Sequence, residues 1–512
     1  MSSPTPDPAS DPNRPLRWVV YTVLIALALG QAAGKILAVN AVNVQKLEQR
    51  RVAAAIDKAR AELTAQGVKG EEFERQLAER SDDLRHAMRL QRPFLSANDR
   101  SRWMAIRAIA EEGDHEIERY LGEPTWDTID MVQHRGRDGE LHQYSSKPPL
   151  LMVLIAAPYW LIIQTTGMTL GTHPYVVGRI LMLLVSGGSL LVLLASVAHL
   201  AERWGATDAG RIFAVAVAAL GTQLSAFTPV LNNHLIAAAS AAVALVAWSR
   251  IRFSPDSARA IDFVVAGLAA AFTVVNELPA LAFFVLLGGE LLLRHTRGAL
   301  ALFLPAAALV AAAFFGTTYW AHASWKPPYA HRSETDLADN WYDYSYTVNG
   351  RERDSYWRRP SSIDRGEPSK ATYALHTLVG HHGVFSLTPV WLLSAAGGLA
   401  WLLRGDRARR ELALGVLGLS AVCLTFYIGF RPQGDRNYGG MTNGLRWMFW
   451  FVPLWCVLLM PAADRLLRSR GGAALCGVLL AFSALSASYP TWNPWTQPWI
   501  YNWLDHLGFT LI

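Results

Sequence analysis

VVGRILMLLVSGGSLLVLLASVAH, residues 176–199, is an apolar run that contains one charged side chain, Arg179. A helix needs about 20 apolar residues to cross a hydrocarbon core of about 30 Å, so this run predicts a transmembrane helix. Similar runs occur at 17–39, 211–228, 231–248, 261–275, 277–293, 298–320, 384–403, 411–430, 445–463 and 472–488. The sequence therefore predicts an all-α polytopic membrane protein with about 11 transmembrane helices.

The composition supports this fold class. Of 512 residues, 52% are hydrophobic and 17% are charged, which argues against a single soluble domain. Cys423, Cys456 and Cys476 all fall within apolar runs, a pattern that fits neither a disulfide framework nor a zinc site. The net charge of +6 comes mainly from arginines in short loops between the runs. It indicates membrane topology, and we expect no nucleic-acid partner.

Arginine placement predicts which loops share a side of the membrane. Residues 150–166 are apolar but short and contain Pro158, so we expect a re-entrant or juxtamembrane helix. With a cytoplasmic N-terminus, the arginine-rich short loops then fall on the cytoplasmic side, as the positive-inside rule requires. The alternative is an external N-terminus with about 12 spans. It would make residues 40–147 cytoplasmic, and Arg14 and Arg17 argue against it.

These assignments divide the chain into segments on alternating sides of the membrane. In chain order they are a disordered cytoplasmic tail (1–16), the first transmembrane helix (17–39), an outer loop with a helical hairpin and juxtamembrane helices (40–175), transmembrane helices (176–320), a second outer loop (321–383), further transmembrane helices (384–488) and an outer aromatic tail (489–512). Residues 17–39 also fit a cleaved signal peptide, but apolar character continues to Val39, which favours an anchor. The hairpin, residues 44–91, is predicted as two amphipathic helices broken at 66–70.

A phosphate-binding pattern precedes the short apolar run. Lys147 is followed by two prolines, which preset the first turn of a helix, so its ammonium lies beside the positive end of a helix dipole. Such a position suits a cation only when an anion is bound nearby. Tyr144, Ser145 and Ser146 would add hydroxyl groups to this receptor. The alternative is a lysine that extends its ammonium to the lipid headgroups.

Four further polar residues lie at the outer ends of predicted spans. His381 and His382 suit anion binding or proton transfer, or helix capping and headgroup contact, whereas side chains at adjacent positions rarely converge on a metal. Arg446 opens a late span, where an unpaired charge is costly and often functional. Glu277 lies in a short outer turn and fits either an interhelical hydrogen bond or a substrate contact.

Asp99 lies in a polar segment that begins a helical pattern, three residues before Arg102. Its ordinary explanation is helix capping, because Asp accepts hydrogen bonds from the unpaired amides of a first turn. Together with Tyr-Ser-Ser-Lys-Pro-Pro-Leu at 144–150 and Gly-Leu-Arg-Trp at 444–447, however, this pair resembles the GT-C membrane glycosyltransferases. The resemblance is greatest to the branch with protein O-mannosyltransferases and the aminoarabinose transferase that modifies lipid A.

The resemblance implies an integral-membrane glycosyltransferase, specifically a hexosyl or pentosyl transferase, in a bacterial inner (cell) membrane with its active site facing the periplasm or exterior. Its donor would be a polyprenyl-phosphate-linked sugar, transferred with inversion to a lipid, glycan or protein acceptor in contact with membrane lipids. Asp99 would be the general base, and Lys147 would hold the donor phosphate. The full set of predicted substrate-binding residues is Lys147, Arg102, Tyr144, His381, His382, Arg446 and Glu277.

The chain departs from the family pattern in two places. Many relatives have a second acid directly after the first, where this chain has Arg100, so no cofactor or metal ligand is assigned and a divalent metal stays an open alternative. The hairpin at 44–91 separates Asp99 from the first span by an unusual length of chain. Two other function classes stay open: a transporter or lipid flippase, for which an inverted repeat is expected, and a noncatalytic scaffold that recruits partners through the hairpin.

Overall fold

The computed structural model describes residues 11–38, 44–88, 94–123, 125–253, 258–333, 335–336, 339–490 and 493–509. The predicted tail at 1–16 therefore lies mostly outside the described residues, as does Trp492. In chain order the helices are α1 (Arg14–Leu37), α2 (Val44–Ala65), α3 (Glu71–Ala87), α4 (Ala97–Glu111), α5 (Leu150–Thr166), α6 (Pro174–Trp204), α7 (Asp208–Phe227), α8 (His234–Phe253), α9 (Ala260–Asn276), α10 (Leu281–Arg294), α11 (Thr296–His322), α12 (Lys370–Leu378), α13 (Trp391–Arg404), α14 (Arg407–Phe430), α15 (Arg446–Leu466), α16 (Arg470–Ser488) and α17 (Trp499–His506).

Each of the predicted transmembrane runs overlaps one of these helices, which confirms an all-α polytopic membrane protein. The run 384–403 is divided: a short helix, Val384–Leu387, precedes α13. Within the described residues, 8 helices are long and apolar enough to cross a membrane: α1, α6, α7, α8, α11, α14, α15 and α16. The other runs form α9, α10 and α13, with 17, 14 and 14 residues. At a rise of about 1.5 Å per residue they extend about 21 to 26 Å, less than a full hydrocarbon core.

Two helices form the centre of the bundle. In both α8 and α15, 83% of the most apolar window is buried, against 17% in α1. Along α8 the buried positions include Ala237, Ala238 and Ala241. These small side chains let neighbouring helices approach closely, which is how helices associate where lipid removes the hydrophobic driving force.

A buried ion-pair network fixes the beginning of α1. Arg17 donates to Glu202 from Nε (2.8 Å) and Nη2 (2.6 Å), and its Nη1 donates to Asp208 at 2.6 Å. The Tyr21 hydroxyl donates to Glu202 at 2.7 Å. The N-terminal end of α1 therefore lies beside the end of α6 and the start of α7, where Arg203 and Arg211 also lie.

The short apolar run is a single helix, α5, that continues through Pro158. It ends at Gly167, whose φ of 71° is left-handed and whose amide donates to the carbonyl of Ile163 at 2.9 Å. This is a glycine C-cap, which terminates the helix without the cost that a Cβ would bring.

Residues 37–95 form a separate compact unit. Within it α2 and α3 pack against each other, and their connection contains Gly67 and Gly70, with φ of 77° and 67°. Two helices separated at 66–70 are therefore present where the sequence predicts the hairpin, with α3 ending at Ala87. Residues 89–91, the end of the predicted hairpin, lie outside the described residues.

The outer loops also contain two antiparallel β-hairpins, which the sequence analysis did not predict. Strands β1 (Met131–Arg135) and β2 (Leu141–Ser145) form the first, and β3 (Ser345–Val348) and β4 (Arg351–Asp354) form the second. The strands are short and largely polar, so they give little hydrophobic alternation. A usable signal did exist at Asn349-Gly350, which has φ of 52° and 75° and matches the two-residue turn typical of hairpins.

Candidate functional site

A cavity of about 830 Å³ lies where the outer loops meet the membrane helices. It is bounded by the first turn of α4, the residues before α5 and α8, the turn between α9 and α10, the end of α14 and the start of α15. Its polar lining residues are Asn98, Arg102, Lys147, Asn233, His234, Asn276, Glu277, Tyr329, Arg332, Tyr427, Arg431, Asp435 and Arg446. Its apolar lining includes Leu151, Phe272, Val275, Leu281, Val285, Val422 and Phe426.

A chain of hydrogen bonds links the central polar residues of the cavity. Arg102 Nη2 donates to Asn233 Oδ1 at 2.8 Å, and Asn233 Nδ2 donates to Glu277 Oε1 at 2.8 Å. Glu277 Oε1 also contacts Nδ1 of His234, whose Nε2 lies 3.3 Å from Nη1 of Arg446. Because Glu277 and Arg446 flank the imidazole, His234 carries its proton on Nδ1 and accepts from Arg446 through Nε2.

The cavity has more cations than carboxylates to balance them. Arg332 and Arg431 pair with Asp435 at 3.5 and 3.3 Å. Neither Arg102 nor Arg446 forms an ion pair with any described residue, and the buried Nε of Arg446 has no hydrogen-bond partner among them. Guanidinium groups withdrawn from water without an ion-pair partner are costly, and this part of the cavity carries an excess of positive charge.

Lys147 also lines the cavity, but it has a carboxylate partner that the sequence analysis missed. Its Nζ lies 2.6 Å from Oδ2 of Asp130, which also accepts from Asn98 Nδ2 at 2.8 Å. Burial lowers the pKa of Lys147 to about 8, and Asp130 opposes that shift. Burial by itself would raise the pKa of Asp130, but Lys147 and the Ser146 hydroxyl lower it to about 2. The ammonium is therefore held in place before any ligand binds.

The three hydroxyls predicted to accompany Lys147 lie elsewhere. Ser146 Oγ donates to Asp130 Oδ1 at 2.5 Å, and Ser145 Oγ lies 2.7 Å from Ser101 Oγ. Tyr144 is in β2, where its ring stacks on His134 with centroids 4.2 Å apart. Because neighbouring side chains of a strand point to opposite faces, Tyr144 and Ser145 cannot both face one ligand. None of the three is among the cavity-lining residues, so the predicted hydroxyl shell is wrong.

Asp99 is held behind the cavity wall, with 1% of its surface exposed. Its amide donates to the Ser96 hydroxyl at 3.0 Å, the N-cap of α4. Its Oδ1 accepts from Trp103 Nε1 and from the amide of Leu231, both at 2.9 Å. Asp99 thus joins α4 to the segment before α8 and is not among the cavity-lining residues, whereas Asn98 and Arg102 on either side of it are.

A glycine-rich turn brings Arg446 to the cavity. Gly439 has φ of 101°, and a Cβ there would stand 2.1 Å from Nε of Arg446, so only glycine lets the guanidinium pass. The other face of Arg446 lies over the ring of Trp495, 4.8 Å from its centroid. Trp495 belongs to the predicted aromatic tail, residues 489–512.

His381 and His382 do not reach the cavity. Their Nδ1 atoms lie 2.5 Å apart, and the His382 ring stacks on Tyr438 with centroids 4.0 Å apart. The cavity therefore gathers Lys147, Arg102, Arg446 and Glu277 from the predicted set and leaves out Tyr144, His381 and His382. Asp130 and His234 are the residues that sequence reasoning missed. Asp130 has no signal in the sequence, whereas His234 follows two asparagines at the start of the predicted span 231–248, where a polar cluster is unusual.

The fold and the cavity define a polytopic membrane protein with a positively charged, partly apolar cavity at one end of its helix bundle. No protein-family model matches the chain, and no curated protein matches it. In structure it is similar to the oligosaccharyltransferase AglB from Archaeoglobus fulgidus in complex with an inhibitory peptide and a dolichol-phosphate, at 13% identity and TM-score 0.39 over 78% of this chain and 51% of that chain.

Two further structures of the Archaeoglobus fulgidus oligosaccharyltransferase are similar to the chain. The apo form has 13% identity and TM-score 0.39, covering 81% of this chain and 54% of that chain. The complex with Zn and sulfate has 14% identity and TM-score 0.40, covering 81% and 51%. The chain spans about half the length of these proteins.

Proposed function

We propose that this chain is an integral-membrane glycosyltransferase that transfers a sugar, with inversion, from a polyprenyl-phosphate donor to a lipid, glycan or protein acceptor on the noncytoplasmic face. The observation that carries the proposal is the pair of guanidinium groups, Arg102 and Arg446, that line the cavity with Lys147 and have no carboxylate partner among the described residues. A phosphate group supplies the missing negative charge through charge-assisted hydrogen bonds.

The apolar walls support a lipid-linked ligand. A second cavity of about 740 Å³ has a mainly apolar lining and shares Leu151 and Phe272 with the first. Its other walls include Ile155, Val185 and Val243, from α5, α6 and α8. A ligand with a charged head and a long hydrocarbon tail would place its phosphate among the arginines and its tail along these walls.

The position of the polar residues favours transfer at the surface over transport. Lys147 precedes α5, while His234 and Arg446 are the first residues of α8 and α15. Transporters place their substrate sites near the bilayer midplane, on broken helices. A cluster at the helix ends instead suits a donor whose headgroup lies at the membrane surface.

In the proposed reaction the acceptor attacks the sugar carbon and the phosphate leaves with the bonding electrons. Arg102, Lys147 and Arg446 would stabilise the departing phosphate, a fixed set of charges that needs no resident metal in the cavity. A carboxylate would take the acceptor's proton, which contributes about 100- to 10,000-fold. Asp99 holds this role by resemblance, and Glu277 has the position for it on the cavity wall beside His234.

Donor binding tests the central observation. Purified protein should carry a polyprenyl-phosphate lipid that mass spectrometry identifies, and Arg102→Ala and Arg446→Ala should each lower the amount retained by at least about 10-fold, the loss of one charge-assisted contact. Arg353→Ala, on the exposed strand β4, is the matched control and should retain the wild-type amount. Equal retention by all three variants would refute the anion site.

The base is assigned by comparing Asp99→Asn with Glu277→Gln. Each substitution keeps the shape and removes the proton acceptor, so the variant that loses the base should bind donor normally and lose at least about 100-fold in turnover. The other should keep turnover within about 10-fold of wild type. Full activity in both variants would exclude carboxylate catalysis by either residue.

A further inference from the structure

A second group of titratable side chains lies away from the cavity, at the end of the second outer region. Glu367, His376 and His381 each offer one ligand atom, and these atoms lie within 4.8 Å of one another. Glu367 and His381 are 5% and 2% exposed. The two imidazole rings stack with centroids 3.9 Å apart, and the lack of a side chain at Gly380 leaves room for His376, whose Nδ1 would stand 2.4 Å from a Cβ there.

The donor atoms in this group are in the form that binds metals. His376 Nδ1 is buried and has no hydrogen-bond partner among the described residues. His381 Nδ1 shares a proton with His382 Nδ1 at 2.5 Å, so with the proton on His381 its Nε2 keeps a lone pair. Metal-binding histidines commonly donate their other N–H to a neighbour in this way.

A second three-residue group in the described residues differs from the first because it is a salt-bridge cluster. Glu116, Glu118 and His142 also lie within ligand distance of one another. There both ring nitrogens of His142 are already engaged, by Glu118 at 2.5 Å and by Asp138 at 2.9 Å. Burial would lower the pKa of His142, but Glu118 and Asp138 raise it to about 9, so this ring is an imidazolium and cannot donate a lone pair.

We propose that Glu367, His376 and His381 bind a divalent transition-metal ion, with Zn²⁺ the best match. Two imidazole nitrogens and one carboxylate oxygen form a ligand set that Zn²⁺ takes in proteins, with Zn–N distances of about 2.0 to 2.1 Å and a fourth position for water. The hard ions Ca²⁺ and Mg²⁺ prefer oxygen ligands throughout. This inference does not depend on the proposed function.

The metal would act as a brace on the turn that carries Arg446. The amide of Glu367 donates to the carbonyl of Arg436 at 2.8 Å, and Tyr438 donates to Oε1 of Glu367 at 3.0 Å. Fixing Glu367 to the two histidines therefore ties α12 and the segment before α13 to the glycine-rich turn. A ligand that binds only the folded protein also raises its thermal stability.

The test is metal binding by the full chain, purified in detergent with its affinity tag removed. After chelator treatment, the protein is dialysed against Zn²⁺ and its bound metal is measured by mass spectrometry, and Co²⁺ is added separately to record the visible absorption of a nitrogen- and oxygen-ligated site. We expect about one Zn²⁺ per chain, a rise in Tm on Zn²⁺ addition, and a d–d band with Co²⁺.

The variants decide which residues are responsible. His376→Asn, His381→Asn and Glu367→Gln should each lower Zn²⁺ affinity at least about 10-fold and remove the Tm shift. His142→Asn, from the salt-bridge cluster, and His173→Asn, at an exposed position, are the controls and should bind as wild type does. If a histidine variant fails to fold, Glu367→Gln and the Co²⁺ spectrum still decide whether this group binds the metal. Wild-type protein that holds no Zn²⁺, or the loss of Zn²⁺ only in His142→Asn, would overturn the proposal.

Discussion

Lys147 illustrates how the residues around a side chain change the role expected of it. Its position before two prolines predicted an ammonium that binds an anion. In the structure Lys147 Nζ lies 2.6 Å from Oδ2 of Asp130. Arg102 and Arg446 lie close enough to repel the ammonium. Asp130 therefore partly neutralises the charge of Lys147, and in the proposed complex the phosphate would be bound mainly by the two arginines that lack a carboxylate partner among the described residues.

Donor affinity should fall as the pH rises through about 8, the value to which burial lowers the pKa of Lys147. Above that pH the ammonium loses its proton, while Asp130, with a pKa of about 2, stays ionised throughout. Binding of polyprenyl phosphate measured by tryptophan fluorescence from pH 7 to 10 should weaken up to about 10-fold. Lys147→Arg keeps its charge and should give a flat profile; a wild-type profile that is equally flat would contradict this role.

Asp99 should matter for stability whatever its part in catalysis. Asp99→Ala leaves Trp103 Nε1 and the Leu231 amide buried without the acceptor they share, at a cost of about 1 to 3 kcal/mol for each donor. We expect a large drop in Tm for Asp99→Ala and a smaller one for Asp99→Asn, which keeps an oxygen. Asp57→Ala, at an exposed position of α2, should leave Tm unchanged. Equal Tm values for the two Asp99 variants would show that Oδ1 is not a structural acceptor.

Among the elements, α1 is the one most dependent on a single contact. Little of its surface is buried, and Arg17 joins it to Glu202 and Asp208 through a network in which Arg17 is 2% exposed. Arg17→Ala would leave Glu202 buried without its cation, so we expect a loss of about 3 to 5 kcal/mol. The measurement is unfolding in detergent. Arg75→Ala breaks a surface pair with Glu72 and should cost less than about 1 kcal/mol; a similar loss in both would contradict the anchoring role.

Two turns in the second outer loop test how much the atoms around a glycine affect the stability cost of replacing it. Gly350 and Gly366 both have left-handed φ, of 75° and 73°. A Cβ on Gly350 would meet nothing within 4 Å, whereas one on Gly366 would stand 1.7 Å from the carbonyl oxygen of Gln433. Gly350→Ala should therefore cost about 1 kcal/mol, from backbone strain alone. Gly366→Ala should cost clearly more in the same Tm assay, and equal losses would show that the backbone near Gln433 moves freely.

At the scale of the whole molecule, the position of the cavity favours the topology with a cytoplasmic N-terminus over the one with an external N-terminus and about 12 spans. Lys147 precedes α5 and lines the same cavity as His234 and Arg446, at the beginnings of α8 and α15. The chain before α5 therefore lies at the same end of the bundle as those helix starts. Arg17 contacts Glu202 at the end of α6 and Asp208 at the start of α7, so the N-terminal end of α1 lies at the opposite, arginine-rich end.

This arrangement predicts a definite labelling pattern in cells. Glu140→Cys, at an exposed position in the turn between β1 and β2, should react with a membrane-impermeant thiol reagent from outside, whereas Arg407→Cys should react only after permeabilisation. The natural Cys423, Cys456 and Cys476 are at most 2% exposed, so the background is low. Labelling of Glu140→Cys only after permeabilisation would instead support the external N-terminus with about 12 spans.

The local pattern of the sequence was enough to predict the helical membrane fold, two helices broken at 66–70, and Lys147, Arg446 and Glu277 as polar residues at the ends of spans, whereas Arg102 was predicted only from the family resemblance. Hydropathy and helical periodicity act within about 20 residues, so they can be read along the chain. The β-hairpins went unpredicted because their strands are too short and polar to show such a pattern.

Only the tertiary structure decided which partners meet. In the tertiary structure Lys147 pairs with Asp130, Asp99 lies behind the cavity wall, and Tyr144 lies on a strand and does not line the cavity. The tertiary structure also joined Arg102 to Asn233 across 131 residues, and Glu277 to His234 across 43. Ion pairs and hydrogen bonds require atoms to lie within about 3 Å, and for residues this far apart that distance is set by how the helices pack, which no local pattern encodes.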